Sequence, residues 1–338
     1  MQSNITHGLV RISLLAVIVA WLVIGLGALT RLTDAGLGCP DWPGCYGHIG
    51  VPVQVLTTAM MKQKAWTEMI HRYCAGTLAV LVFLVATLCV LNAARHGVSY
   101  LVLALVIFLL VIYQALLGMW TVTLTLWPIV VSQHLLGGMG LFALLWLIFL
   151  KSWTSVPDNR HHFSTPYPLR SKIMALCGLM MLALQIALGA WTSTNYAALS
   201  CPDFPFCQGH WQQTFDFAAA FNVSAFGGMN YEGGVLSAAA RQTIHMTHRM
   251  MAVAVMMYVI FMLGYFYRQQ QHDPMLRKAM GILLILLMMQ ITWGILNIVL
   301  VLPLGIAVLH NLTAGLLLCA MVTVNYAVFR RQGAMVYE

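Results

Sequence analysis

The sequence predicts an all-α polytopic membrane protein: eight transmembrane helices in two duplicated four-helix bundles, with both termini inside (N-in/C-in). Three observations carry this reading. Of 338 residues, 61% are hydrophobic and only 8% charged, against about a quarter charged in a soluble domain, so the chain has too little polar surface to face water on every side. Eight windows of about 20 residues are almost free of Asp, Glu, Lys and Arg, long enough to cross a bilayer as helices. Motifs of the first half also return in the second at nearly constant spacing. The net charge of +8 is spread along loops rather than clustered, which argues against nucleic-acid binding.

In order, the spans run near 9–30, 73–94, 100–121, 128–150, 172–193, 246–267, 279–300 and 304–326. The first is too long for a signal peptide and no small-residue cleavage pattern follows it, so it reads as a retained span. With the N-terminus inside, eleven Lys and Arg, among them Arg11, Arg95, Lys151, Arg170, Arg268 and Arg330, share one side. The other side holds six: Arg31, Lys62, Lys64, Arg72, Arg241 and Arg249. The positive-inside rule then puts both termini inside, and the long connections 31–70 and 195–244 face outward. Those connections carry Cys39, Cys45, Cys201 and Cys207 as two close pairs, which would meet an oxidising compartment where short disulfides persist. Closing so small a loop stabilises by about 2–2.5 kcal/mol in the chain-entropy model. Cys74, Cys89, Cys177 and Cys319 lie inside apolar segments and read as small apolar residues.

The duplication is specific. Cys39-Pro-Asp-Trp-Pro-Gly-Cys45-Tyr-Gly-His48 returns as Cys201-Pro-Asp-Phe-Pro-Phe-Cys207-Gln-Gly-His210, an offset of 162. Gly27-Ala-Leu-Thr30 returns at the same offset as Gly189-Ala-Trp-Thr192. Beyond a longer second outer loop the offset becomes 176 to 177: His71-Arg72 matches His248-Arg249, Gln114 and Gly118 match Gln290 and Gly294, and His134 matches His310. The chain therefore reads as halves 1–155 and 165–338, joined by a polar inner linker around 152–171. Both start inside, so they form a parallel repeat about an axis along the membrane normal.

Of the twelve histidines, His7, His96, His161, His162 and His272 fall in polar stretches at the inner face and read as solvated. His71, His134, His248 and His310 sit near the outer ends of the second, fourth, sixth and eighth spans; His134 lies about six residues past Pro128, or ~9 Å down its helix. Ionisable residues inside a bilayer are functional candidates by default. Two imidazoles per half, from facing helices, suit an axially bis-His haem iron, whereas zinc wants four ligands, or three and an open site. Gly137, Gly138 and Gly140 after His134, and Ala314 and Gly315 after His310, would admit a flat ring or serve helix packing.

Arg72 and Arg249 directly follow two of these histidines. They read either as partners of ring propionates or as interfacial arginines snorkelling to headgroups, and Arg31 has the same two readings. The halves differ one helical turn before the first histidine, where half one has Glu68 and half two His245. Glu68 and His71, at i and i+3, share a helix face; desolvation beside an apolar ring would suit Glu68 to accept a proton near neutral pH. The Cys-Pro-Asp segments read as clamped caps over each half. A metal site from Cys39, Cys45 and His48 is one ligand short, and His48, His210 and His245 receive no role.

At these residues a resemblance emerges. The run Gly-Ala-Leu-Thr-Arg31-Leu-Thr-Asp-Ala-Gly-Leu-Gly-Cys39-Pro-Asp-Trp-Pro, with Glu68-Met-Ile-His71-Arg72, Gln133-His134, His245-Met-Thr-His248-Arg249 and Leu309-His310-Asn, resembles the haem A synthase family over nearly the whole chain. The resemblance implies a haem-dependent oxidoreductase of the bacterial inner membrane that oxidises the C8 methyl of haem O to a formyl group, giving haem A for terminal oxidases. It implies haem b between His248 and His310 for electron transfer, and substrate haem O between His71 and His134 with Glu68 as the essential acid, both near the periplasmic face. Cys39 and Cys45 look like the family's extracytoplasmic disulfide, and Cys201 and Cys207 follow by internal symmetry. Haem O synthase and the terminal-oxidase assembly machinery are the implied partners besides the lipid bilayer; a homo-oligomer is compatible with these residues.

A bis-His iron has no open position for oxygen. Two routes stay open: one of His71 and His134 releases so that O₂ binds, or electron removal from the ring lets water attack the methyl, losing its proton toward Glu68. Two rival functions also stay open. A di-haem cytochrome b-type electron carrier explains the four histidines and leaves Glu68 idle, and a transporter with a histidine proton relay explains the repeat alone.

Overall fold

A computed structural model describes residues 2–54, 56–156, 166–209, 215–223, 230–269 and 273–330. The expectations for His161, His162, His210 and His272 fall outside these residues, as does the side chain of His96; His7 is exposed. The fold is all-helical. Its elements are α1 (Gln2–Leu32), α2 (Ala59–His96), α3 (Ser99–Thr123), α4 (Pro128–Trp153), α5 (Leu169–Thr194), α6 (Phe217–Ala220), α7 (Ala238–Arg268), α8 (Pro274–Val299) and α9 (Leu304–Phe329). All but the short α6 are long and apolar enough to cross a membrane, as the hydropathy windows predict.

Two helices differ from expectation. Hydropathy starts the second and sixth spans near 73 and 246, yet α2 starts at Ala59 and α7 at Ala238. A hydropathy window stops where the sequence turns polar, but the backbone continues to the next cap. Thr58 accepts the Met61 N–H at 3.1 Å and Ser237 that of Ala240 at 3.2 Å, each satisfying an orphan donor of a first turn. One face of the extra turns of α2 is covered by the disulfide loop, where Ala65 and Met69 pack with Cys39, Cys45 and Leu56. Glu68, His71, His245 and His248 are therefore held on rigid helix. The other end of α2 stops at Gly97, which at φ 91° donates to Ala93 O at 2.9 Å, a backbone state that glycine adopts without steric cost.

Packing follows one rule in both sets of four spans. α1 meets α2 and α4, α2 meets α3, and α3 meets α4; likewise α5 meets α7 and α9, α7 meets α8, and α8 meets α9. The two rings join where α1 touches α9, α4 touches α5 and α4 touches α9. Of the spans, α9 is the most enclosed, because its faces meet both rings. Each ring has its own apolar core, with one residue exchanged: Met139 of α4 packs in the core of α5–α9, and Cys319 of α9 in that of α1–α4. The apolar side chains that remain exposed, such as Ile18, Phe83, Leu105, Met180, Phe261 and Ile285, suit a lipid solvent.

The backbone also keeps a constant step. Among the described residues, the non-glycine positions with left-handed φ fall into pairs: Asp34 with Tyr196 and Tyr46 with Gln208, 162 apart, then Thr125 with Val301 and Leu126 with Leu302, 176 apart. In the last pair the N–H groups close equivalent turns, Leu126 to Thr121 O at 2.8 Å and Leu302 to Asn297 O at 2.7 Å.

Candidate functional site

Each of the four histidines leans on a glycine of a neighbouring helix. A Cβ added at Gly27 of α1 would lie 3.1 Å from His71 Cε1, and one at Gly189 of α5 would lie 3.1 Å from His248 Cε1. A Cβ at Gly118 of α3 would lie 3.5 Å from His134 Cε1, and one at Gly294 of α8 would lie 3.3 Å from His310 Cε1. These four glycines recur at offsets of 162 and 176; the repeat marks them, but the sequence alone gives no reason for them. His71 lies within electrostatic reach of His134, and His248 within reach of His310.

The small residues after the second histidine of each pair behave differently from one another. Gly315 packs on Phe142 and Met139, with an added Cβ 3.2 Å from Phe142 Cε1, which is a contact of α9 with α4. At Gly137 an added Cβ would overlap the amide of Gln114, 1.9 Å from its Nε2. Gly140 has open space beside it.

Above each pair sits a hairpin closed by a disulfide, Cys39–Cys45 in one and Cys201–Cys207 in the other. Both hairpins are built alike. Asp41 takes the N–H groups of Tyr46 and Gly47, and Asp203 those of Gln208 and Gly209, each at 2.6 Å. Burial works against ionisation of Asp41, but the N–H groups of Gly47 and Tyr46 outweigh it and hold the carboxyl below its ordinary range; Asp203 is lowered chiefly by the Gly209 N–H. A carboxylate lowered in the folded state stabilises it above the unfolded pKa, and that contribution is lost as pH falls through the folded value. Both hairpins are thus expected to loosen below about pH 4. A phosphine reductant should open the Cys39–Cys45 bond faster at pH 3 than at pH 6, and Asp41→Ala should remove most of that difference; equal rates in the unmutated protein would contradict the role given to Asp41.

Arg72 and Arg249, read from sequence as partners of ring carboxylates or headgroups, are committed to these hairpins. Arg72 donates to Asp41 O at 2.8 Å, to Gly44 O and to the Glu68 carboxylate. Arg249 donates to Asp203 O at 2.8 Å, Phe206 O at 2.9 Å and Cys201 O at 2.6 Å. Glu68 is buried, 4% exposed, and also accepts the Cys39 N–H at 2.8 Å. His245 does the same work in the other half: Nδ1 accepts the Cys201 N–H at 3.3 Å and Nε2 faces Arg249 Nε at 3.2 Å. Glu68 and His245 are therefore equivalent anchors, and the halves differ in the chemistry of the anchor rather than in its position. Arg31 joins the two rings instead of facing a site. It donates to Ser193 O at 2.6 Å, pairs with Asp34 at 3.4 Å and stacks 3.8 Å over Tyr196.

Around the histidines, polar atoms are sealed from solvent without a hydrogen-bond partner. They include His71 Nδ1, His134 Nδ1 and Gln114 Nε2 in the first four spans. In the last four they are His310 Nδ1, Gln185 Oε1, Gln290 Oε1, Trp293 Nε1, Asn297 Oδ1 and Arg241 Nε. Such groups are costly in a folded protein, and three of them belong to the imidazoles themselves. Two glutamines touch the second pair: Gln185 Nε2 lies 3.1 Å from His248 Nδ1 and Gln290 Nε2 lies 3.2 Å from His310 Nε2. Position 23, which matches Gln185 by the repeat, is valine, so duplication gives no signal for Gln185. Cys39 and Cys45 are bonded to each other, and among the described residues no three His, Cys, Asp or Glu side chains cluster as a metal site.

Residues 10–322, a stretch that includes both hairpins and all four histidines, match the family model COX15-CtaA, described as cytochrome oxidase assembly protein. The chain belongs to that family. Among COX15-CtaA relatives, a heme A synthase of Shewanella oneidensis is 43% identical over 324 residues, 93% of this chain and 94% of its own length. A heme A synthase of Bacillus pumilus is 24% identical over 89% of this chain and 88% of its own. One from Bacillus cereus is 25% identical over 85% and 82%. Family membership links the protein to cytochrome oxidase biogenesis.

Proposed function

We propose that this multi-pass membrane protein is a haem A synthase built of two halves, 1–155 and 165–338. In this reading His71 and His134 hold substrate haem O, and His248 and His310 hold a resident haem b. The observation that carries the reading is the doubled pair of imidazoles, each set on a glycine of the next helix under a disulfide hairpin. The sealed, unpartnered nitrogen and oxygen atoms fit a ring that brings its own polar groups, and the glycines leave room beside each imidazole that a side chain would fill. The matched packing order, the paired left-handed residues and the twin hairpins support the two-half division. The charge split of the loops supports an orientation with the hairpins on the periplasmic side of the inner membrane, with haem O synthase and the oxidase assembly machinery as partners.

A bound iron porphyrin supplies one-electron chemistry that no side chain offers. The protein's own residues do the rest. Four imidazoles, from α2, α4, α7 and α9, would hold two rings, one in each half. The hairpins, clamped by Arg72 and Arg249, cover the histidines' ends of the helices and limit water. Glu68, one turn from His71, keeps lone pairs beyond those taken by Arg72 and Cys39, so a water or substrate proton at the ring edge has an acceptor. His245, at the matching place, accepts the Cys201 N–H and lies against Arg249, with no carboxylate to take a proton, which suits the second half to electron transfer.

The reading is tested by expressing the chain in cells that make haem O but no haem A, then extracting and separating the haems. Appearance of haem A supports it; haem O left unchanged, with only haem b on the protein, would favour the di-haem carrier instead. Gly189→Leu should lower the haem bound by the second half, because a side chain there pushes into His248, whereas Gly264→Leu, with open space around its Cα, should leave haem content unchanged. Equal content in both variants would remove the glycine seat from the account.

A further inference from the structure

We propose that Arg241, Trp293 and Asn297 form a carboxylate-binding rim that anchors the ring of the second half and has no counterpart in the first. The inference rests on the reading above. Arg241 lies on α7 seven residues before His248, two turns toward the hairpin on the same face, ~10.5 Å along the axis. On α8, Gln290 and Gly294 both face His310, and at 100° per residue Trp293 and Asn297 share that arc. Asn297 is one turn nearer the hairpin than Gly294. Arg241 Nε, Trp293 Nε1 and Asn297 Oδ1 are all sealed from solvent without partners. An indole N–H and a guanidinium N–H are donors that a carboxylate takes, and Asn297, whose orphaned Oδ1 is an acceptor, joins them by turning its amide so that Nδ2 faces the same place; a porphyrin carries its carboxylates at one edge.

The first half lacks this set. At the matching positions stand Lys64, Leu117 and Thr121. Lys64 is paired with Glu232 at 3.4 Å, Leu117 is apolar, and the Thr121 hydroxyl is spent on Gly118 O at 2.7 Å. A ring bound there is held by its imidazoles without the rim. That difference suits a resident cofactor in one half and a molecule that must enter and leave in the other.

The test is haem loss from the purified full-length protein to excess apomyoglobin, followed by absorbance. Arg241→Met should speed loss of the haem that depends on His248 by about ten-fold or more, the scale of a charge-assisted hydrogen bond; Arg241→Lys should restore part of it, and Lys64→Met should change nothing. Haem dimethyl ester, which lacks free carboxylates, should dissociate from the unmutated second half as fast as haem does from Arg241→Met, so one arm needs no variant. Loss at the unmutated rate from Arg241→Met, or tight retention of the diester, would overturn the rim. A protein that takes up no haem at His248 and His310 at all would instead overturn the functional reading on which the rim depends.

Discussion

Alanine at His248 is expected to remove one haem's absorbance from the purified protein and to abolish haem A formation, while leaving the other haem bound. His248 sits between Gly189 and Gln185 on a helix that keeps its cap at Ser237, so the substitution removes a ligand without dismantling α7. With only His310 left to hold it, a ring in the second half would be retained poorly. The spectrum should lose its sharp reduced α-band for that site. His310→Ala should give the same spectrum, because the two act as one pair, and the double variant should be no worse than either. An intact spectrum in His248→Ala would undo the pairing.

The second large effect is expected at Glu68. Because Glu68 is also the buried anchor of a hairpin, Glu68→Ala removes one partner of a buried ion pair, a change of about 3–5 kcal/mol, and confounds structure with chemistry. Two substitutions separate them. Glu68→Gln keeps an oxygen for the Cys39 N–H but has no carboxylate to take a proton; haem binding should persist and turnover should fall by about 10²–10⁴-fold, the range of general-base catalysis. Glu68→His copies the anchor that the second half uses at His245, so the hairpin should stay closed and product should again be lost. Haem A formation at the unmutated rate by either variant would reduce Glu68 to an anchor.

The sequence makes the architecture legible because lipid forces it: a backbone without water must be helical, and eight apolar windows leave little choice. The starts of α2 and α7 are not legible for the same reason, since hydropathy reports the bilayer and not the capping residues Thr58 and Ser237 that decide where a helix starts. The four histidines and the two cysteine pairs are visible because duplication repeats them. The contrast between Glu68 and His245 is visible in the sequence, but their common task is not, because it depends on a hairpin folding back over α2 and α7. Arg72, Arg249 and Arg31 look alike in sequence, as single cations at membrane edges. Only packing separates two hairpin clamps from one bridge between rings. Gln185, Trp293 and Asn297 have no repeated partner of their own type, so nothing in one sequence singles them out.

The central claim is that one chain carries two rings, one in each half, each held by its own pair of imidazoles. Its most direct measurement is the haem content per chain of protein purified from cells supplied with haem O, compared with His71→Ala/His134→Ala and His248→Ala/His310→Ala. The account predicts two haems of different type in the unmutated protein and a different one missing from each double variant. Colourless protein, or one haem lost equally from both double variants, would contradict it.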